Sequence, residues 1–177
     1  MRLVWLVFYA GMAVTANAAD LAGLDAGALK KLNIAAAPAP APDVAFTTAE
    51  GGEARLSDFR GHPMLVNFWA TWCAPCRQEM PSLDALQAAF ADTPFRVMTI
   101  ATGRSPLPAI DRFFAETGVS HLPRHSDPNM ALARSMGVLG LPVSVIIDAE
   151  GREVARLIGD ADWASPEAHA LVEALLR

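Results

Sequence analysis

The feature that most constrains this chain is its only pair of cysteines, Cys73 and Cys76, which are separated by two residues. They follow an almost wholly apolar run, residues 64–69, which is typical of a strand buried on both faces, and they precede a run with helical apolar spacing. A helix N-terminus presents unpaired backbone N–H groups and a partial positive charge, and both stabilise a thiolate. Because the thiolate is the form that attacks a disulfide, we predict Cys73 as the nucleophile and Cys76 as the resolving thiol.

Two other uses of such a pair are a structural disulfide and half of a zinc site. Zinc needs about four ligands, and the sequence holds no second pair of closely spaced cysteines and no Cys–His set. A structural disulfide that closes so short a loop adds little stability. The sequence therefore favours a redox-active dithiol over both alternatives.

Three runs carry a resemblance to a known family. The run Leu65–Pro81, with its core Trp-Ala-Thr-Trp-Cys-Ala-Pro-Cys-Arg, resembles the TlpA/ResA branch of the thioredoxin superfamily. Residues Gly137–Asp148 resemble the cis-proline segment of that family, and Gly159–Ser165 resemble the matching segment of its TlpA members. The likeness covers about residues 43–176. It implies an envelope thiol:disulfide oxidoreductase with a thioredoxin-like α/β fold and a central insert between Cys76 and Pro142.

The order of elements in the sequence agrees with a central mixed sheet flanked by helices. The patterns predict an N-terminal β-hairpin over 44–56, a helical turn at 57–61, strands at 64–69 and 95–101, helices at 76–90, 109–116 and 127–136, a second hairpin over 143–158 and a last helix at 166–176. Pro81 falls inside the first long helix, where we expect it to produce a kink.

Residues 1–18 are typical of a signal peptide. Arg2 supplies a positive charge, residues 3–14 are apolar, and Ala16-Asn17-Ala18 matches a cleavage site. The alternative is an uncleaved membrane anchor, because the uncharged stretch 3–19 is at the lower limit of length for a bilayer span. Both interpretations place the domain outside the cytoplasm, in the periplasm or elsewhere in the cell envelope.

An Ala/Pro-rich linker is predicted over residues 19–42, because Ala35–Pro42 repeats proline and favours an extended spacer. The thioredoxin-like domain is then expected over residues 43–177. The chain carries a formal net charge of −5, and its Lys and Arg residues are scattered, so we expect no nucleic-acid partner.

The residues between the cysteines indicate the direction of electron flow. Ala74 and Pro75 place no cation beside Cys73, whereas a histidine there would stabilise the thiolate and make the disulfide more oxidising. Ala-Pro also resembles the Gly-Pro of reducing thioredoxins. We therefore expect a reductant, with a potential nearer to about −270 mV than to about −120 mV.

Substrate binding is predicted around Pro142, Leu141 and Trp72. The resemblance implies that the Leu141–Pro142 peptide bond is cis and faces the dithiol, so that the Leu141 backbone can pair with an extended peptide. Trp72, which precedes the nucleophile, is expected on an exposed apolar rim together with Ala74 and Pro75, whereas Trp69 is expected in the core. An ordinary turn proline is the alternative for Pro142.

Glu79 is the candidate proton acceptor for Cys76. Thioredoxin itself has a buried aspartate six residues before its nucleophile, but this chain has Asn67 there, and an amide cannot accept the proton. Glu79 lies one helical turn beyond Cys76, so we hypothesise that it relays the proton. The alternatives are a solvent-exposed helix carboxylate and the partner of a nearby arginine.

The leading functional hypothesis is an exported protein-disulfide reductase without a cofactor other than its cysteine pair. The resemblance implies partners in cytochrome c maturation or cytochrome oxidase copper-site assembly, and a membrane thiol-electron transporter that restores the dithiol. The alternatives are a dithiol oxidase or isomerase, a copper-binding chaperone and a thiol peroxidase. No metal site is expected, because Pro123 interrupts the spacing of His121 and His125, which we expect at the surface with His62 and His169.

Overall fold

The computed structural model describes residues 21–177, so the predicted leader over 1–18 lies outside the described residues. Eight strands and four α-helices follow one another in this range: β1 Leu32–Pro40, β2 Phe46–Thr47, β3 Glu53–Ala54, β4 Met64–Trp69, α1 Ala74–Ala89, β5 Arg96–Thr102, α2 Leu107–Thr117, β6 His125–Asp127, α3 Ala131–Ser135, β7 Val143–Ile147, β8 Arg152–Ile158 and α4 Pro166–Leu175. Short 3-10 turns lie at Gly27–Leu29 and Leu56–Phe59.

All eight strands belong to one mixed sheet in the order β1-β8-β7-β4-β5-β6-β2-β3. The central strand β4 pairs in parallel with β5 and antiparallel with β7, and β5 pairs in parallel with β6. The remaining pairs are antiparallel. This arrangement confirms the expected mixed α/β sheet flanked by helices.

Alternate residues of β4 face two different hydrophobic clusters, as the period of a strand requires. Leu65 and Trp69 pack with α1, α2 and α4 on one face of the sheet, whereas Met64, Val66 and Phe68 pack with α3 and the hairpin β2–β3 on the other. Asn67 shares the face of Leu65 and Trp69, so the one polar residue of this strand points towards the helix that carries the cysteines.

The predicted linker is wrong over residues 32–40, which form the edge strand β1 against β8. Alternating proline removes backbone donors, but an edge strand tolerates this because one of its sides needs no partner. The extended backbone that suggested a spacer is also the backbone of a strand. The segment before β1 is part of the fold too, since Leu21 and Leu29 are fully buried in the core.

Most other predicted elements are confirmed, including both hairpins and the strand at 64–69. The sequence patterns missed β6, which is three residues long, and predicted a longer helix where α3 spans Ala131–Ser135. Helix α1 continues through Pro81 as one element. Within residues 21–177, the helices are too short or too polar to cross a bilayer.

Candidate active site

The cysteine pair lies where strand β4 gives way to helix α1. Cys73 is the N-cap of the helix, and its Sγ accepts a hydrogen bond from the Cys76 backbone N–H at 3.4 Å. The two sulfurs form a disulfide with an S–S distance of 2.00 Å. Cys73 retains 5% of its accessible surface and Cys76 none, so an incoming partner meets Cys73 first. This order of access is the one predicted for a nucleophile and a resolving thiol.

The residues on either side of Cys73 in the chain are apolar. Trp72 is 66% exposed, and Ala74 and Pro75 are also exposed, whereas Trp69 is buried as expected. The Arg77 side chain has two contacts. Its guanidinium donates to the Thr71 carbonyl and lies 4.6 Å from the centroid of the Phe113 ring. The rim that a partner would contact therefore consists of Trp72 and the dipeptide between the cysteines.

The segment before β7 contains the peptide bond Leu141–Pro142, which is cis as predicted. Trp72 and Leu141 line one cavity of about 340 Å³, and so the residues that precede Cys73 and Pro142 share a surface. Leu139 on the same cavity is 99% exposed. Within the described part of the chain, the Leu141 N–H and carbonyl make no backbone hydrogen bond, which leaves them available to an extended peptide.

Glu79 is buried with 3% of its surface accessible, so the alternative of a solvent-exposed carboxylate is wrong. Its partners are not arginines but three N–H donors. The Asn67 amide donates to Oε1 at 2.8 Å, and the Ala161 backbone N–H and the Trp163 indole N–H each donate to Oε2 at 3.2 Å. On the helix surface, residues three apart are neighbours, so Glu79 lies one turn from Cys76.

Burial raises the pKa of Glu79 from its ordinary value of 4.5 to about 7, and the negative charge of Asp160 adds to the rise. The hydrogen bonds from Asn67, Trp163 and Ala161 oppose this shift because they stabilise the charged form. The carboxyl group is consequently near half-protonation at neutral pH. A general base works best when its pKa lies close to the operating pH, and this group meets that condition.

Asn67 also donates to the Ser144 hydroxyl at 2.9 Å, while its own Oδ1 is buried without a hydrogen-bond partner. Ser144 lies two residues after Pro142 and is directly opposite Asn67 in the β4–β7 register. Sequence reasoning named Asn67 only as a departure from thioredoxin. It missed Ser144, because a serine within an apolar strand carries no signal of its contacts.

The sequence pattern does not predict the two donors from the segment that follows β8. The resemblance of Gly159–Ser165 to the family implies no role for these residues. The acidic residues and buried tryptophan of this segment are the available signal, because a buried indole usually needs an acceptor for its N–H. That acceptor is Glu79, and the contact joins residues that are 84 positions apart.

The histidines form no shared site. His121 pairs with Asp84 at 2.9 Å on the surface. His125, expected at the surface, is buried instead, and its Nδ1 accepts the Ala49 backbone N–H at 3.1 Å. Burial lowers the pKa of His125. Within residues 21–177, no three His, Cys, Asp or Glu side chains are grouped as metal ligands would be.

Comparison with known proteins agrees with this geometry. The Redoxin family model matches residues 36–174. The thiol-disulfide oxidoreductase ResA of Bacillus anthracis is 30% identical over 120 residues, which cover 68% of each chain. A solved putative thiol:disulfide interchange protein DsbE from Chlorobium tepidum is 28% identical with a TM-score of 0.68, and the match covers 78% of this chain and 96% of that one.

An exposed lipoprotein thioredoxin from Streptococcus pneumoniae is also similar, with 25% identity, a TM-score of 0.61 and coverage of 76% of this chain and 98% of that one. The family model spans most of the chain, and it includes the disulfide, the cis-proline segment and the residues around Glu79. The chain belongs to the Redoxin family and is a thiol-disulfide oxidoreductase of the thioredoxin superfamily.

Proposed function

We propose that this chain is an exported protein-disulfide reductase that passes electrons from its dithiol to cysteine pairs of other exported proteins. The direction of electron transfer is inferred from the uncharged dipeptide Ala74-Pro75 at the N-terminus of helix α1. A cation there would stabilise the reduced form and make the disulfide a stronger oxidant. Without one, the oxidised form is favoured, and the dithiol gives up its electrons readily.

The reaction begins when the Cys73 thiolate attacks one sulfur of a partner disulfide. A Cys73–partner bond forms, the partner's S–S bond breaks, and the partner's other sulfur leaves as a thiolate. Cys76 then loses its proton and attacks the Cys73 sulfur, which releases the second partner thiolate. The partner gains two electrons and takes up two protons, and the chain is left with the Cys73–Cys76 disulfide.

Glu79 is proposed as the base that takes the proton from Cys76. Its carboxyl group lies one turn further along α1 and has a pKa of about 7 because it is buried. Asn67 occupies the place from which thioredoxin's aspartate acts, and in this chain it holds the acting carboxylate instead, at 2.8 Å. The proton acceptor has thus moved from the strand to the helix.

The partner is proposed to bind as an extended segment beside Leu141. The free N–H and carbonyl of that residue would pair with the backbone on either side of the partner's cysteine. Trp72 and Leu139, which are both exposed, would cover the apolar side chains next to that cysteine. The dithiol carries the electrons, so the proposed reaction needs no separate cofactor.

The physiological setting is proposed from the resemblance to the TlpA/ResA branch. The chain would reduce cysteine pairs so that haem can be attached to apocytochrome c or copper can bind a cytochrome oxidase site. A membrane thiol-electron transporter would restore the dithiol. The leader-like residues 1–18 support a periplasmic or envelope location, and so does the similarity to the exposed lipoprotein thioredoxin of Streptococcus pneumoniae.

The test is to trap the partner with a Cys76→Ser variant, which cannot complete the second step. Expressed in a cell that exports it, this variant should accumulate as mixed disulfides with proteins that contain a reducible cysteine pair. The matched control is Cys73→Ser combined with Cys76→Ser, which should capture none of them. The proposal is refuted if both variants yield the same proteins, or if the captured proteins enter the complex only when their own cysteines are reduced, as the substrates of an oxidase would.

A further inference from the structure

The segment Gly159–Trp163 holds helix α1 beside Glu79 with three hydrogen bonds. Two of them, from the Ala161 N–H and the Trp163 indole, reach the Glu79 carboxylate. The third runs from the Trp163 backbone N–H to the Ser82 hydroxyl at 3.1 Å, and within α1 this hydroxyl donates to the Glu79 carbonyl at 2.7 Å. The segment therefore fixes both the carboxylate and the helical turn that carries it.

The same segment forms one wall of a cavity of about 260 Å³ that reaches Glu79. Asp160, Ala161 and Asp162 form this wall, and the opposite wall is polar and consists of Gln78, Glu79 and Ser82 on α1. This volume holds several water molecules, since each water occupies about 30 Å³ in the liquid. The cavity shares no lining residue with the apolar cavity beside Trp72, and so a partner seated on that surface would leave this mouth open.

We infer that the Gly159–Trp163 segment positions the Glu79 carboxylate and provides the route by which its proton leaves to solvent while a partner covers the dithiol. This inference rests on the proposed role of Glu79. The Cys76 thiol gives its proton to the carboxylate and becomes the attacking thiolate. The proton then passes from the carboxyl group to water in the cavity, and no atom other than this proton moves along the route.

Charged side chains at the opening of this cavity are placed to influence the proton transfer. Asp160 and Asp162 are the acidic residues that line the cavity. The Lys31 Nζ lies 3.3 Å from Asp160 Oδ1 and the same distance from the Asp160 carbonyl. Lys31 is in the segment before β1, so a residue far from the cysteines in sequence pairs with the aspartate whose charge acts on Glu79. From the sheet, Asn67 donates to the carboxylate, and Ser144 accepts a hydrogen bond from Asn67.

The experiment follows the carboxyl group of Glu79 by ¹³C NMR and measures the rate at which Cys76 resolves a mixed disulfide, both as functions of pH. Trp163→Phe removes one donor to the carboxylate. We expect it to raise the midpoint of the Glu79 titration by about one pH unit, which is a tenfold change in the proton affinity of this carboxylate. Asp160→Asn should lower the midpoint, and Lys31→Met should raise it. The last two shifts should shrink as salt is added, because both groups are near the surface.

Two further variants separate positioning from stability. Trp69→Phe alters another buried tryptophan that does not contact Glu79, and it should leave the midpoint unchanged. Ser82→Ala removes the hydroxyl that accepts the Trp163 backbone N–H but keeps the indole. It should shift the midpoint of the Glu79 titration in the same direction as Trp163→Phe. It therefore serves as the test if Trp163→Phe folds poorly. The inference is overturned if the Asp160, Lys31 and Ser82 variants all keep the parental midpoint and rate while Glu79→Gln changes the rate profile. If Glu79→Gln itself leaves the profile unchanged, the proposed relay fails instead.

Discussion

Replacing Glu79 with glutamine should remove a pH-dependent component of stability. The folded protein raises the pKa of this carboxyl group from 4.5 to about 7, so the folded state holds its proton more tightly than the unfolded state does. The contribution to stability is fully present below pH 4.5, where both states are protonated. It is lost as the pH rises towards 7, because the unfolded chain ionises first and gains from doing so. A difference of about 2.5 pH units corresponds to about 3 kcal/mol, since one unit is worth about 1.4 kcal/mol.

The assay is urea unfolding of the oxidised protein at several values between pH 4 and 8, for the parent and for Glu79→Gln. The free energy of unfolding of the parent, relative to the variant, should fall by about 3 kcal/mol across this range and then level off above pH 7. Because glutamine has nearly the same size, keeps one of the two acceptor oxygens and does not titrate, the pH dependence of the difference reports on Glu79. A difference that stays flat, or that grows with pH, would refute the assignment of a raised pKa to this carboxylate.

Three other predictions test separate parts of the structure. Leu29→Ala should lower the free energy of unfolding by about 2–5 kcal/mol because Leu29 is fully buried. The exposed control Leu139→Ala should change it by less than about 0.5 kcal/mol. Equal losses would contradict the packing of the N-terminal segment against the core. His125 has a lowered pKa, so its contribution to stability should fall as the pH drops below 6.5. The parent should therefore lose stability relative to His125→Asn, whose amide oxygen can accept the same backbone N–H, in acid unfolding curves. Asn67→Leu removes a donor to the Glu79 carboxylate and should raise its pKa by about one unit in ¹³C titrations; an unchanged or lower value would argue against that hydrogen bond.

The sequence predicted the parts of the site that are local in the chain. The positions of Cys73 and Cys76 indicate where helix α1 begins. A strand that leads directly into this helix allows few relative arrangements of the two elements. The cis bond before Pro142 required the resemblance to a family, because a Gly-x-Pro run is also typical of an ordinary turn. These features needed no knowledge of long-range contacts, and the structure places them as expected.

The features that the sequence did not predict depend on contacts between distant residues. Glu79 is polar and lies on a helix, so its burial is evident only once the segment containing Trp163 is folded over it. The Ala/Pro-rich residues 35–40 favour an extended backbone, but composition does not say whether such a backbone finds a partner strand. The edge of β8 supplies that partner, and the pairing turns a predicted spacer into β1.

The central claim is that the Cys73–Cys76 pair serves as a reductant. The direct measurement is a redox titration of the purified domain against a glutathione or dithiothreitol couple at pH 7, with the fraction of disulfide followed by thiol labelling. Because Ala74 and Pro75 place no cation beside Cys73, we predict a reduction potential near about −270 mV. A value above roughly −180 mV would contradict the account, because the pair would then take electrons from partner proteins instead of supplying them.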